Sequence, residues 1–191
     1  LARKADLRWQ RADLYALMYQ CAANASFGGE AFRQVATDTT GVEFSAFDGD
    51  WLLPRALRSD EDLQEDLFAR LAGKAMASGP SGYKRGKPYS WLVNHLLDGL
   101  GQVSPRSYSE AVRYAAEHTP LDHPLALHFG AIGAGVRAAS AIRVNEVTTE
   151  DYPWIDFVMQ PLRGKLTVPC APIEFERVWG KEQTIERLKD Q

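Results

Sequence analysis

Apolar residues recur along most of the chain at spacings of three and four, the period of a helix with one buried face. Between Leu7 and Asn24 they fall at Leu7, Leu14, Leu17, Met18 and Cys21, and the 14/17/18/21 spacing predicts a single inward face. Asp13 suits the start of this helix, and Asn24-Ala25-Ser26 with Gly28-Gly29 ends it. A short second helix is predicted from Glu30 to Val35. The period then lapses over residues 36–58. Val42-Glu43-Phe44 fits either a short strand or an extended loop, Asp48-Gly49-Asp50 is a turn signal, and Trp51-Leu52-Leu53 reads as an apolar anchor. Ser59 as N-cap, with acids after it, opens a helix whose apolar face is Leu63, Leu67, Phe68 and Leu71.

Residues 77–87, rich in Gly, Ser and Pro, predict a flexible loop with a basic tip at Lys84, Arg85 and Lys87. Two helices follow. The first runs from Tyr89 to Leu100, with Trp91, Leu92, His95, Leu96 and Gly99 within reach of one face. The second runs from Ser104 to His118, with Tyr108, Ala111, Val112, Ala115 and Ala116 inward. A longer helix is predicted from Pro124 to Val147. Its interior glycines each cost ~1 kcal/mol against alanine, for which close helix approach is the usual compensation. A kink at Gly133 to Gly135 is the point of weakness. Trp154 to Leu162 reads as a short helix, Lys165 to Val168 as a strand, and Ile173–Trp179 and Glu182–Lys189 as closing helices. The fold class expected is mostly α, a multi-helix bundle. It has room for two helical subdomains, 1–80 and 81–191, for a minor strand, and for a winged-helix-like part from Pro124 to Trp179.

Composition narrows the function classes. The 191 residues are 45% hydrophobic and 25% charged, ordinary for a globular chain able to bury a core. A net charge of −3 supplies no global basic field for nucleic acid or an acidic membrane. No apolar run reaches membrane-span length and no signal peptide opens the chain, so a cytoplasmic protein is expected. Cys21 and Cys170 have no metal-spaced partner and read as reduced, partly buried thiols, with a single disulfide left open. The chain begins at Leu1, in a segment that reads as the middle of a fold, and a fragment or processed chain is expected.

Catalytic motifs fail one by one. Gly86-Lys87 is followed by Pro88 and preceded at the fifth position by Ser81, which breaks a phosphate loop at both ends. The Gly130–Gly135 run has its glycines in the reverse of the dinucleotide order and sits in a helical pattern. His118, His123 and His128 stand five apart, without a metal-binding HExxH, and Asp48-Gly49-Asp50 lacks the distant Glu of a calcium loop. No G-x-S-x-G is present. The residues therefore imply no metal, no cofactor held by this chain alone, and no complete enzyme site.

Ser104-Pro105-Arg106 stands out. Ser104 is an apt N-cap and Pro105 an apt first residue, but Arg106 puts a cation at the positive end of the helix dipole, at a cost of a few tenths to ~1 kcal/mol. A nearby carboxylate or a ligand phosphate would offset that cost. Together with the basic loop, this makes Arg106, Lys84, Arg85 and Lys87 the candidate anion-contacting residues.

Five segments carry a resemblance. Trp91 to Ser107 reads W-L-x-N-H-L-x-D-x-x-G-x-x-S-P-R-S; Leu7 to Leu17 reads L-x-W-x-x-x-D-L-Y-x-L; Ala139 to Trp154 reads A-S-x-x-R-V-N-E-V-x-x-E-D-Y-P-W. Pro161-Leu162-Arg163-Gly164 and the E-F-x-x-x-W of Glu174 to Trp179 follow in order. The series resembles the helical region after the nucleotide core of large bacterial P-loop ATPases of the STAND-like and ParA/MinD-like kinds, in signalling and defence. The resemblance implies a lid-like regulatory module, with Arg106 sensing ATP held by a separate core and that core as partner. The chain departs from the family in lacking the Walker motifs. The alternative is a helical module that binds protein or, less favoured for an acidic chain, DNA, with no nucleotide role.

Overall fold

A computed structural model describes residues 8–167 and 169–189, except for the side chains of Glu150 and Asp151. The chain is mostly helical, with ten α-helices and one two-stranded sheet among the described residues. It divides into two compact units, to Ser140 and from Ala141. The boundary expected at 80/81 falls inside the first unit, because the helices on either side of the 77–87 loop share one core.

In the first unit, α1 (Arg11–Ala23) and α2 (Gly29–Thr40) are followed by the hairpin β1 (Ser45–Phe47) and β2 (Asp50–Leu52). Then come α3 (Arg55–Ser59), α4 (Glu61–Ala72), α5 (Pro88–Asn94), α6 (Pro105–Glu117) and α7 (Phe129–Glu146). The face that α1 buries differs from the expected one: Leu14, Tyr15, Tyr19 and Ala23 go inward, Leu17 and Met18 are half-buried, and Cys21 is exposed. The tyrosines bury their rings because each hydroxyl finds a carbonyl, Tyr15 on Tyr89 O at 2.8 Å and Tyr19 on Gln64 O at 2.7 Å. Leu7 lies outside the described residues.

The strand falls at Ser45–Phe47 rather than at Val42–Phe44, set by a two-residue turn. Asp48 and Gly49 both have positive φ, 51° and 88°, as a type I′ turn requires. Ala46 stands opposite Trp51. The outer edge of β2 is closed by the side chains of Gln20 in α1 and of Asn24, its C-cap. Asn24 Oδ1 accepts Trp51 N–H, Asn24 Nδ2 and Gln20 Nε2 donate to Trp51 O, and Gln20 Oε1 accepts Leu53 N–H, each at 2.8 Å. Gln20 and Asn24, one turn apart, act as a short third strand.

Helix α4 is capped by Asp60 rather than Ser59, its carboxylate accepting the Asp62 and Leu63 amides at 3.1 and 3.2 Å. Helix α5 stops at Asn94, six residues before the expected end. His95 caps it, stacked on Trp91 at 3.8 Å with Nδ1 2.8 Å from Trp91 O, and the Asp98 carboxylate then accepts the Leu100 and Gln102 amides. In α6 the inward residues are Tyr108, Ala111 and Ala115, whereas Ala116 is exposed. Ser104 occupies the N-cap position, yet its hydroxyl makes no cap bond. Helix α7 starts at Phe129, not Pro124, since Leu127 N–H is held by Leu71 O and His128 N–H by Thr119 Oγ1. It runs unbroken past Gly133 and Gly135. Gly135 lies directly against the Ala111 carbonyl of α6, the close approach that offsets its poor helix propensity.

The second unit holds the end of α7, a π-helical turn at Val147–Asp151, α8 (Trp154–Met159), a 3-10 turn at Gln160–Leu162, α9 (Pro172–Lys181) and α10 (Thr184–Lys189). Val158 and Leu162 are its buried apolar residues among those described. Trp179 Nε1 donates to Val158 O at 2.8 Å, and Lys165 pairs with Glu182 at 2.6 Å. Lys165 lies in a turn and Leu166 and Thr167 form no strand, while Val168 is outside the described residues. Its described residues contain no strand that could serve as the wing of the expected winged-helix form. Cys21 and Cys170 are both free thiols.

Candidate functional site

The loop before α5 is closed by backbone hydrogen bonds. Met76 N–H donates to Gly86 O at 2.9 Å across its neck, and Gly82 N–H to Gly79 O at 3.0 Å within it. Gly82 is buried; a Cβ there would stand 2.4 Å from Ala77 O, so only glycine fits. The 3-10 turn Gly82–Arg85 then presents Tyr83, Lys84 and Arg85 to solvent. Lys87, the N-cap residue of α5, turns back to α4 and pairs with Glu65. That hydrogen bond, with the charge of Glu65 and then of Asp62 and Asp66, holds the Lys87 ammonium above its ordinary range. A cavity of about 230 Å³ lies there, lined by Glu65, Asp66, Lys74, Lys87 and Tyr89 among others, and by none of Arg106, Lys84 or Arg85.

Arg106 is the second residue of α6 and is exposed, with an interaction inside the chain. Its charge reaches Glu110, one turn on. The Glu110 carboxyl lies below the usual range, first through its hydrogen bond with Arg113, then through the charges of Arg113 and Arg106. Arg113 also reaches Glu117 at 2.7 Å, so this face of α6 alternates cation and anion down four turn positions.

The two basic helix starts converge inside the fold. Tyr89 stands two residues after Lys87, and Tyr108 two residues after Arg106. Both rings meet Tyr15: Tyr89 is stacked at 4.2 Å and Tyr108 is edge-on at 5.3 Å. Tyr89 OH donates to Gln64 Oε1 at 2.8 Å, and Gln64 Nε2 donates to Ala12 O and Leu57 O at 3.0 and 2.7 Å. Sequence reasoning found the cations but missed this hub. Tyr15 and Tyr19 were legible as a helical pair; Gln64, a polar residue between Leu63 and Leu67, gave no signal.

Burial is the main cause that pushes the hydroxyls of Tyr15, Tyr19, Tyr89 and Tyr108 above their ordinary value. A raised folded-state value means that stability is full below the unfolded tyrosine value and lost above it, so stability declines beyond about pH 10. Urea midpoints measured from about pH 9 to pH 11 should fall steeply. A level midpoint would mean that the hydroxyls reach water.

The histidines are engaged with the backbone. His118 stacks on Tyr114 at 3.8 Å as His95 does on Trp91, and Nδ1 of His128 accepts Gly130 N–H at 3.2 Å. Among the described residues, no group of three or more His, Cys, Asp or Glu side chains could hold a metal ion. None of their helices is long and apolar enough to cross a membrane. No protein-family model, curated protein or solved structure matches this chain.

Proposed function

We propose that this chain is the nucleotide-responsive helical region of a bacterial P-loop ATPase, acting in the cytoplasm in signalling or defence. The phosphates are held by a core outside these 191 residues, and Arg106 reads their charge from the first turn of α6, with Lys84 and Arg85, exposed on the turn before α5, as further candidate contacts. Lys87, already paired with Glu65, serves the loop's position rather than the anion. The observation that carries this reading is the convergence of the two helix starts on Tyr15. A pull on Arg106 displaces Tyr108, and Tyr108 and Tyr89 share one ring, so a change in nucleotide charge has a packed route into the helical bundle. The ordered resemblance of five segments is what points this reading toward that family.

The test is Arg106→Ala in the chain together with its ATPase core. Nucleotide affinity or turnover should change about tenfold, within the usual range of a coupling energy between sites, with the thermal unfolding of the helical region unaltered. Unchanged affinity and turnover would remove the sensor role.

A further inference from the structure

A second surface lies between α1 and the hairpin. The outward side of α1 and the strand β2 enclose an open groove of about 620 Å³, with Trp9, Leu17 and Leu52 on its walls and Arg8 and Arg58 at its margins. A neighbouring depression shares Leu52 and Arg58 and adds Arg55. Trp9 is 44% exposed and Leu52 36%. The arginines pair with no carboxylate among the described residues; Arg58, exposed, instead donates Nε–H to Leu53 O at 3.1 Å, which fixes its stem. Two acids stand beside them, Asp13, whose carboxylate accepts the Gln10 amide at 2.8 Å, and Glu43, so three cations face two carboxylates and the surface keeps a net positive charge.

We propose that this groove binds an acidic amphipathic segment of a partner protein. Tryptophan, leucine and arginine together are the composition of interface centres, where apolar side chains enter a pocket and guanidinium groups clamp carboxylates at its rim. The charge selects an acidic partner, and the apolar floor selects a protein over nucleic acid, whose backbone has nothing to place against Leu17 and Leu52. Leu17 carries the point. Its helical spacing marks it for the core, yet it is only half-buried, because α1 buries its tyrosine face instead. The groove is independent of Arg106, so it stands or falls apart from the nucleotide reading.

The probe is a synthetic peptide of about 16 residues with leucines at i, i+3, i+4 and i+7 and glutamates between them, titrated into the full chain by calorimetry. Binding is expected, weakened about tenfold or more both by 0.5 M salt and by the double exchange Arg8→Glu, Arg58→Glu. Both side chains are exposed and the exchange gives up one contact of the fold, the Arg58 bond to Leu53 O, so circular dichroism checks that the variant keeps its fold. Leu17→Asp should abolish binding. The proposal is overturned by no binding, by equal binding of the same peptide with lysines for glutamates, or by indifference to the arginine exchange. It is also overturned if duplex DNA displaces the peptide, or if binding appears only after residues 1–7 are removed, which would give the groove to the chain's own start.

Discussion

Gln64→Glu should destabilise the first unit by about 3–5 kcal/mol at neutral pH, and by much less in mild acid. Gln64 is fully buried and uses every polar atom of its amide. Its two N–H groups satisfy carbonyls of α1 and α3, and its oxygen accepts from Tyr89. A carboxylate has the same shape but no donors, so it would face Ala12 O and Leu57 O as a buried charge against two lone pairs. Burial raises the folded-state value of such a carboxyl above its unfolded value near 4.3. The penalty is therefore small below that value and grows as pH rises, because only the protonated form can donate to one of the two carbonyls. Urea unfolding of both proteins at about pH 4.5 and pH 8 measures it. An equal difference at the two pH values would mean that the side chain reaches water. Gln64→Leu is the companion: its loss should be independent of pH over that range, since it leaves the same carbonyls unpaired without adding a charge.

Gly135→Ala should cost about 1–3 kcal/mol, although glycine to alanine inside a helix ordinarily gains about 1. A Cβ at 135 would stand 2.2 Å from the Ala111 oxygen, and that atom is backbone in a buried helix, with no rotamer to retreat into. Either α6 and α7 part or one of them bends. Gly133, two residues earlier, is the control in the same helix: its nearest neighbours would be Arg137 Nη1 at 3.8 Å and Trp91 at 4.0 Å, ordinary contacts. Gly133→Ala should raise the thermal midpoint while Gly135→Ala lowers it. Shifts of the same sign would dispose of the close approach as the reason for Gly135.

What the sequence made legible follows from how local each cause is. The start of α6 at Pro105 and the turn at Asp48-Gly49 were readable because a fixed φ or a positive φ acts on its own residue. The cap of α4 slipped by one, since Ser59 and Asp60 are both good caps and only the fold selects the aspartate. The inward face of α1 was misread because Tyr15 and Tyr19 earn burial through carbonyls 74 and 45 residues away. Helix α5 ended early because His95 closes it on Trp91, a stacking that spacing does not announce. At the candidate site the cations were legible from composition and cap position. The carboxylate that occupies Lys87 was not, because Glu65 reaches it only once α4 and α5 lie side by side.

The hairpin has a consequence for solubility. Two strands alone would offer two open edges, and a sheet open on both sides can add copies without limit. Here the amides of Gln20 and Asn24 occupy the edge of β2, which leaves only the edge of β1, three residues long. A second copy pairing there would present its own sealed side outward, so growth stops at four strands. Replacing those two amides would therefore do more than loosen a hairpin: it would turn a surface that can at most dimerise into one that can polymerise.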